Sequence, residues 1–278
     1  MKPTACHAEE LARLCHQFRR DVVETIHSIQ TGHPGGSLSV CEILASIYFL
    51  HANVDVQNPN APDRDRVVLC KGHAAPMLYR ILAEKGFFSV SDMKTLRQLN
   101  SHLQGHPSPK GTPGVDMASG PLGIGLSAAV GIALAQRMNP DNQAVTYAIL
   151  GDGELNEGTV WEAVMAAHKF KVDNLITIVD WNGVQLDGTA EAIMPMGDLA
   201  EKFSAFGWDV NVVDGHDIRA ISEAITEAKN AKGKVSVILA KTVKGKGVSF
   251  MEGKNIWHGK PINDEEFALA MKELEGCL

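Results

Sequence analysis

The chain has 278 residues, 45% hydrophobic and 21% charged, the balance of an ordinary globular protein long enough for one large domain with a full core. Its formal net charge of −7 argues against a general nucleic-acid surface and against a polybasic membrane contact. No apolar stretch approaches the roughly 20 residues that cross a bilayer, and the opening MKPTACHAEELARLCHQ lacks the apolar core of a secretory signal.

In chain order, the spacing of Leu11, Leu14, Phe18, Val22, Ile26 and Ile29 predicts an amphipathic helix over Glu9–Gln30. The following Gly32-His33-Pro34-Gly35-Gly36 reads as a glycine helix stop with a trailing proline, which leaves His33 unexplained. A second helix is expected over Ser39–Phe49, a strand over Arg66–Cys70 and a helix over Pro76–Glu84. Asn100–Gly125, rich in Gly, Pro, Ser and His, reads as a long irregular stretch of the kind that often carries function. Leu126–Arg137 is a helix of small residues. The apolar runs Ala144–Leu150 and Leu175–Asp180 flank a helical segment Thr159–Phe170, a unit suited to parallel pairing. Then come a helix at Asp198–Phe206, a strand at Trp208–Val213, a helix at Ile218–Asn230, a strand at Val235–Ala240 and a helical tail Asp264–Glu275. No repeat, linker or low-complexity segment interrupts this alternation. The expected fold is α/β, one doubly wound, mostly parallel sheet with helices on both faces, over residues 1–278.

That topology puts Asp152, within Gly151-Asp152-Gly153, and Asn182 at the carboxyl edge of neighbouring strands, where open α/β sheets bind ligands. A Gly-Asp-Gly triplet alone is an ordinary turn. Here the glycines let the backbone approach a phosphate, the next helix presents free N–H groups, and a carboxylate with an amide oxygen suits Mg²⁺. The pair reads as a magnesium-diphosphate clamp. Four histidines (His33, His73, His106 and His258) sit in small-residue loops. Singly each suits a surface role, but together they suggest convergence on one pocket. Zinc is disfavoured, because close-spaced His/Cys pairs are missing. Gly120-Pro121-Leu122-Gly123-Ile124-Gly125 is either a turn before a helix or a backbone ledge for a cofactor, with Leu122 against a ring. Lys241-Thr-Val-Lys244-Gly-Lys246-Gly247 lacks the order of a nucleotide loop, so a solvated basic turn is the simple reading. The five cysteines (Cys6, Cys15, Cys41, Cys70, Cys277) form no CxxC pair, which suits reduced thiols and a cytoplasmic protein.

Taken together, GHPGGSLS, KGHAAPMLY, GHP, GPLGIGLS, GDGELNEG, DWNGVQLDG, KTVKGKG and WHGK resemble, in order, the amino-terminal third to half of transketolases. The resemblance implies a thiamine diphosphate enzyme that moves a two-carbon ketol unit from a ketose phosphate to an aldose. It implies Asp152, Asn182 and the carbonyl of Val184 as ligands of Mg²⁺ (or Ca²⁺). Gly153, His73 and His258 would lie at the diphosphate, and Gly120, Pro121 and Leu122 at the aminopyrimidine. His33, His106 and His258 would face the sugar hydroxyls and steer protons. Glu157, grouped with the cofactor set, and Glu162 match acids at the dimer seam.

Two positions depart from the family pattern, Ile124 where glutamine is frequent and Ala75 where serine is common. A full transketolase continues into a pyrimidine-binding domain that carries the activating glutamate and most sugar-phosphate contacts. The resemblance therefore implies the amino-terminal subunit of a split transketolase, in an α₂β₂ assembly with a separate carboxy-terminal subunit; its substrates would be sugar phosphates. The alternatives are another thiamine diphosphate enzyme subunit (deoxyxylulose-phosphate synthase-like, or a 2-oxoacid dehydrogenase subunit), a transketolase for an unusual sugar, and a non-catalytic thiamine diphosphate-binding module.

Overall fold

A computed structural model describes residues 5–275; of Ala5 and Cys6 it describes the backbone alone. Five parallel strands form the sheet: β1 (Arg66–Leu69), β2 (Thr146–Gly151), β3 (Leu175–Trp181), β4 (Asp209–Asp214) and β5 (Ser236–Lys241). Their order is β1-β2-β3-β5-β4. The inner strands are near-continuous buried runs, as a sheet covered on both faces requires, whereas the edge strand β4 is only partly buried. The expected parallel, doubly wound sheet is present.

Helices divide between the two faces. One layer holds α1 (Ala5–Ile29), α2 (Pro34–Ser39), α3 (Cys41–Ser46), α4 (Ala75–Lys85), α9 (Ile218–Asn230) and α10 (Asp264–Glu275), around a core with Phe18, Ile26, Tyr79 and Ile225. The other holds α5 (Ile124–Arg137), α6 (Gly158–Lys169) and α8 (Leu199–Ala205), packed on Val68, Leu150, Val179 and Leu239. A short α7 spans Ala190–Ile193. Asp198 and Asp217 start α8 and α9 by accepting N–H groups of the first turn, as their composition predicts.

One expectation is corrected. The left-handed residue that ends α1 is Gln30, at φ 52°, and not a glycine; Gly32 follows at φ 144°, and Pro34-Gly35-Gly36 opens α2, with Pro34 in its first turn. All six residues of α2 are buried. Its glycines serve close approach: a Cβ on Gly36 would stand 3.1 Å from His73 Nε2, and one on Gly35 would stand 2.9 Å from the Trp257 carbonyl oxygen. The helix expected over Ser39–Phe49 is accordingly broken at Val40 and finishes in a π-helical turn, Ile47–His51. The stretch expected to be irregular holds no helix or strand over 100–123, but its last two residues belong to α5, which begins two residues early, at Ile124.

The carboxyl edge is bound together by Asp180 near the end of β3. It is fully buried and accepts from Lys71 Nζ, from Ser39 Oγ at 2.6 Å and from Thr242 Oγ1. Three segments distant in sequence (α2, the turn after β1 and the turn after β5) thus meet on one carboxylate. Removing one partner of such a pair strands the other charge in the interior, at a cost of about 3–5 kcal/mol. Asp180→Asn is therefore expected to lower unfolding free energy by about that amount in urea titrations. Adding Lys71→Met should recover part of the loss. A single-variant loss below ~1 kcal/mol would show that the pair is not structural.

Candidate active site

The site is built where β2 and β3 end side by side, with Gly151 opposite Asp180. Beyond β2 the chain turns through a short 3₁₀ segment, Gly153–Asn156. Asp152 stands at its start, 5% exposed. Its Oδ1 accepts from the Gly153 N–H at 2.8 Å and its Oδ2 from the Gly183 N–H at 2.5 Å. Asn182 Oδ1 accepts from the Val184 N–H at 3.1 Å, and the Val184 carbonyl accepts from Lys244 Nζ at 3.0 Å. Asp152, Asn182 and Val184 line a cavity of about 190 Å³ together with Lys71, Leu122, Glu154, Lys244 and His258. That volume is many times the roughly 10–15 Å³ that one water needs.

The electrostatics separate paired from unpaired groups. Lys71 and Asp180 form a buried ion pair, and Lys71 also donates to the Gly36 carbonyl at 3.0 Å. Asp152 has no such cation: burial, then the neighbouring Asp180 carboxylate, push its pKa up to about 6. Lys244 has no carboxylate in contact and bonds only carbonyls and His258, so burial and then Lys71 pull it down to about 8. Glu154 reaches across the site, taking the Gly123 N–H at 2.9 Å and the Gly151 N–H at 3.2 Å. Burial raises it to about 7. It thereby ties the loop before α5 to the end of β2. Gly123 itself sits at φ 92°, and a Cβ there would come within 2.7 Å of Glu157 Cβ.

Three of the four histidines converge. The rings of His33, His73 and His258 have centroids 5.5, 5.4 and 4.8 Å apart. Burial is the leading cause that keeps them neutral, with nearby cations adding to it; His33 falls to about 4, His258 to about 3, and His73 well below its usual value. His106 stands apart from those ring contacts, its ring 3.3 Å from where a Cβ of Gly120 would be. Leu122 forms cavity wall while 38% exposed, and Pro121 is exposed beside it. Glu157, at the N-cap of α6, is exposed and outside the cavity lining.

Sequence reasoning assigns no role to four residues at the site: Lys71, Glu154, Asp180 and Lys244. The solvated reading of the KTVKGKG turn fails for Lys244, which is 3% exposed and aimed into the cavity, although Lys241 is exposed as expected. Position after a strand was the available signal, since each of Lys71, Glu154 and Lys244 follows a strand end. Elsewhere, Cys15, Cys41 and Glu42 lie close enough to suggest a metal. Both Glu42 oxygens, however, are held by Arg19 at 2.6 Å, and one also by His216 at 2.9 Å. The guanidinium already occupies the cation's place.

An α/β domain whose glycine turns, hard oxygen donors and buried lysines meet at the carboxyl edge of its sheet has the form of a diphosphate-cofactor domain. The chain belongs to the transketolase family: residues 11–276 match the family described as the transketolase thiamine diphosphate-binding domain. It is 44% identical over 271 residues to the 6-deoxy-6-sulfo-D-fructose transketolase subunit SqwG of Clostridium sp. (strain MSTE9), covering 96% of this chain and 98% of that protein. It is 39% identical over 276 residues to an apulose-4-phosphate transketolase subunit of Actinobacillus succinogenes, covering 99% of each. The transketolase of Pichia stipitis solved in complex with sedoheptulose 7-phosphate superimposes with a TM-score of 0.89 at 31% identity, over 95% of this chain. The chain spans 41% of the length of that transketolase.

The residues present fit the cofactor that this family binds. Among the described residues the site holds two buried carboxylates without a cation, Asp152 and Glu154, and one buried ammonium without an anion, Lys244; both Glu154 oxygens already accept backbone N–H groups. A metal diphosphate would supply the partners that Asp152 and Lys244 lack. The linkage has a definite sign. An acid whose pKa is raised on folding binds its proton more tightly in the native state. Asp152 (ordinarily 3.8) and Glu154 (ordinarily 4.5) thus favour folding at low pH and weaken it as pH rises through about 6 and about 7. A divalent ion at Asp152 relieves that penalty and competes with the proton. The Tm increase given by Mg²⁺ with thiamine diphosphate is expected to grow from about pH 5 to about pH 7.5, and to lose that growth in Asp152→Asn. Thermal unfolding at both pH values checks this, and equal increases at both would count against Asp152 as the metal's carboxylate.

Proposed function

We propose that the chain is the diphosphate-binding subunit of a split transketolase, acting with a separate carboxy-terminal subunit in an α₂β₂ assembly in the cytoplasm. One observation carries this reading: the unmatched Asp152 and Lys244 share a cavity with the neutral imidazoles of His73 and His258, against which the His33 ring packs, in a transketolase-family chain. Asp152, Asn182 and the Val184 carbonyl would ligate Mg²⁺ (or Ca²⁺). Gly153, Lys244, His73 and His258 would meet the diphosphate, and Gly120, Pro121 and Leu122 the aminopyrimidine. When bound, thiamine diphosphate supplies a nucleophilic carbon that carries the two-carbon unit between carbonyls. The protein's own part is to anchor, orient and hydrogen-bond. His33, His106 and His258 would face the hydroxyls of the sugar phosphates. Glu157, exposed near the loop, would lie at the seam with a second copy.

The partner is supported by the occupied Glu154 carboxylate and by the cavity's rim. Both oxygens of Glu154 are occupied by backbone N–H groups, so the activating carboxylate is assigned to the partner. Leu122 and Leu186 line the cavity while 38% and 57% exposed, an apolar margin of the kind that another chain covers. A second reading, transfer on an unusual sugar with an anionic end, is favoured by the SqwG and apulose-4-phosphate relatives.

Ketol transfer from xylulose 5-phosphate to ribose 5-phosphate, with thiamine diphosphate and Mg²⁺, is expected only when this chain is mixed with the protein encoded beside it. Chelation should abolish it. A 6-deoxy-6-sulfo-fructose donor run in parallel distinguishes the second reading. Robust transfer by this chain alone would overturn the split arrangement, and loss of all thiamine diphosphate binding by the mixture would overturn the function.

A further inference from the structure

Arg97 belongs to none of the motifs that define the site, yet it is bonded to one of the site histidines. It lies just after the short 3₁₀ turn Val90–Thr95, in the left-handed region at φ 61°, with its N–H donated to the Leu103 carbonyl at 2.8 Å. Its guanidinium makes no carboxylate contact among the described residues. Instead one arm donates to Thr31 Oγ1 at 3.1 Å and the other to His33 Nδ1 at 3.2 Å. Its Nε is buried without a partner. Gly105 presses on the group so closely that a Cβ there would stand 3.2 Å from Cζ. A half-buried cation is thus fixed with an imidazole as its most specific partner.

Hydrogen-bond chemistry fixes the state of that ring. A guanidinium only donates, so His33 Nδ1 must accept. A neutral ring that accepts at Nδ1 carries its proton on Nε2. That edge of the ring faces Gly259, with Nε2 3.8 Å from where a Cβ of Gly259 would be, beside His73 and His258. We propose that Arg97 is a positioning residue for His33: by occupying Nδ1 it holds the ring as an Nε2–H donor with no basic lone pair left to offer. His33 therefore meets a substrate oxygen as a fixed hydrogen-bond donor, and proton removal falls to other groups. Lys244 Nζ, 3.0 Å from His258 Nδ1, imposes the same arrangement on His258 while it is protonated. The substrate part of this inference rests on the ketol-transfer reading, whereas the Arg97–His33 part does not.

The charged and titratable groups that face His33 are Arg97, His73, His106, Lys244 and His258. Of these, Arg97 alone bonds its Nδ1, so its removal opens a basic site that removal of the others does not. The test is nitrogen-15 NMR of the imidazoles in the full chain, with the His33 signal identified by its loss in His33→Gln. In the native chain His33 is expected to be the Nε2–H form. In Arg97→Met its titration midpoint should rise by about one pH unit or more, a tenfold gain in proton affinity, while those of His73 and His258 stay within about 0.3 unit. In the assembled enzyme Arg97→Met should lower kcat about tenfold with KM changed less than about threefold, and Arg97→Lys should restore most of it. An Nδ1–H ring in the native chain overturns the proposal whether or not the variant folds. So does an unmoved His33 midpoint in a folded Arg97→Met. An Nε2–H ring without ketol transfer in the mixed subunits would leave Arg97's role standing and remove the transketolase reading. Transfer with an Nδ1–H ring would do the reverse.

Discussion

The buried Asp180 carboxylate is the interaction on which the arrangement of the site depends. Its cation comes from the protein itself, Lys71 from the turn after β1. Ser39 brings the buried helix α2 to the same oxygen atoms, and Thr242 brings the turn after β5. Because α2 holds Gly36 against His73, and the turn after β5 holds Lys244 over Val184, one ion pair fixes both walls of the cavity. Burial makes such a pair costly to assemble and costlier to break, which favours a single geometry over a looser set of alternatives.

Against that neutralised pair, Asp152 and Lys244, like Glu154, have hydrogen-bond partners but no opposite charge in contact among the described residues. Desolvation works on them in opposite directions, raising one pKa and lowering the other, so both groups are drawn toward neutrality. On the proposed reading a metal diphosphate would restore both charges at once, its cation meeting the carboxylate and its anion the ammonium. Imidazoles kept neutral add no charge of their own. They leave the local balance to the metal, the phosphates and the two protein groups that match them.

Much of this was legible in the sequence because it is local. The apolar runs gave the strands to within two residues, and the turn residues just beyond them, Asp152 and Asn182, fall at the predicted edge. The convergence of His33, His73 and His258 was readable as a set of loop histidines, though no spacing rule joins them. The residues left without a role are those defined by distant contacts. Lys244 looks solvated beside Lys241 and Lys246, and it is contacts distant in sequence, chiefly the Val184 carbonyl sixty positions away, that make it internal. Arg97 is one arginine in a polar stretch until the fold brings Thr31 and His33 to it. The Gly-His-Pro-Gly-Gly run misled for the opposite reason: its local grammar suits a helix end, and the crowding by His73 and Trp257 that requires glycine inside a helix is tertiary.

The two ends of the cavity differ in how complete they are, which bears on a division of the enzyme between chains. The end at Asp152 and Lys244, proposed for the diphosphate, is preorganised, with its polar groups held by backbone N–H groups, carbonyls and a buried ion pair. The end lined by Leu122 and Leu186 is apolar and open. Anchoring a charged group needs fixed partners at rest, whereas a reacting ring needs enclosure from water only during turnover. On the proposed reading, a subunit built this way would hold its cofactor by the chemically inert end. It would leave the reactive end exposed until a partner closes over it, so that chemistry is conditional on assembly while the anchor is not.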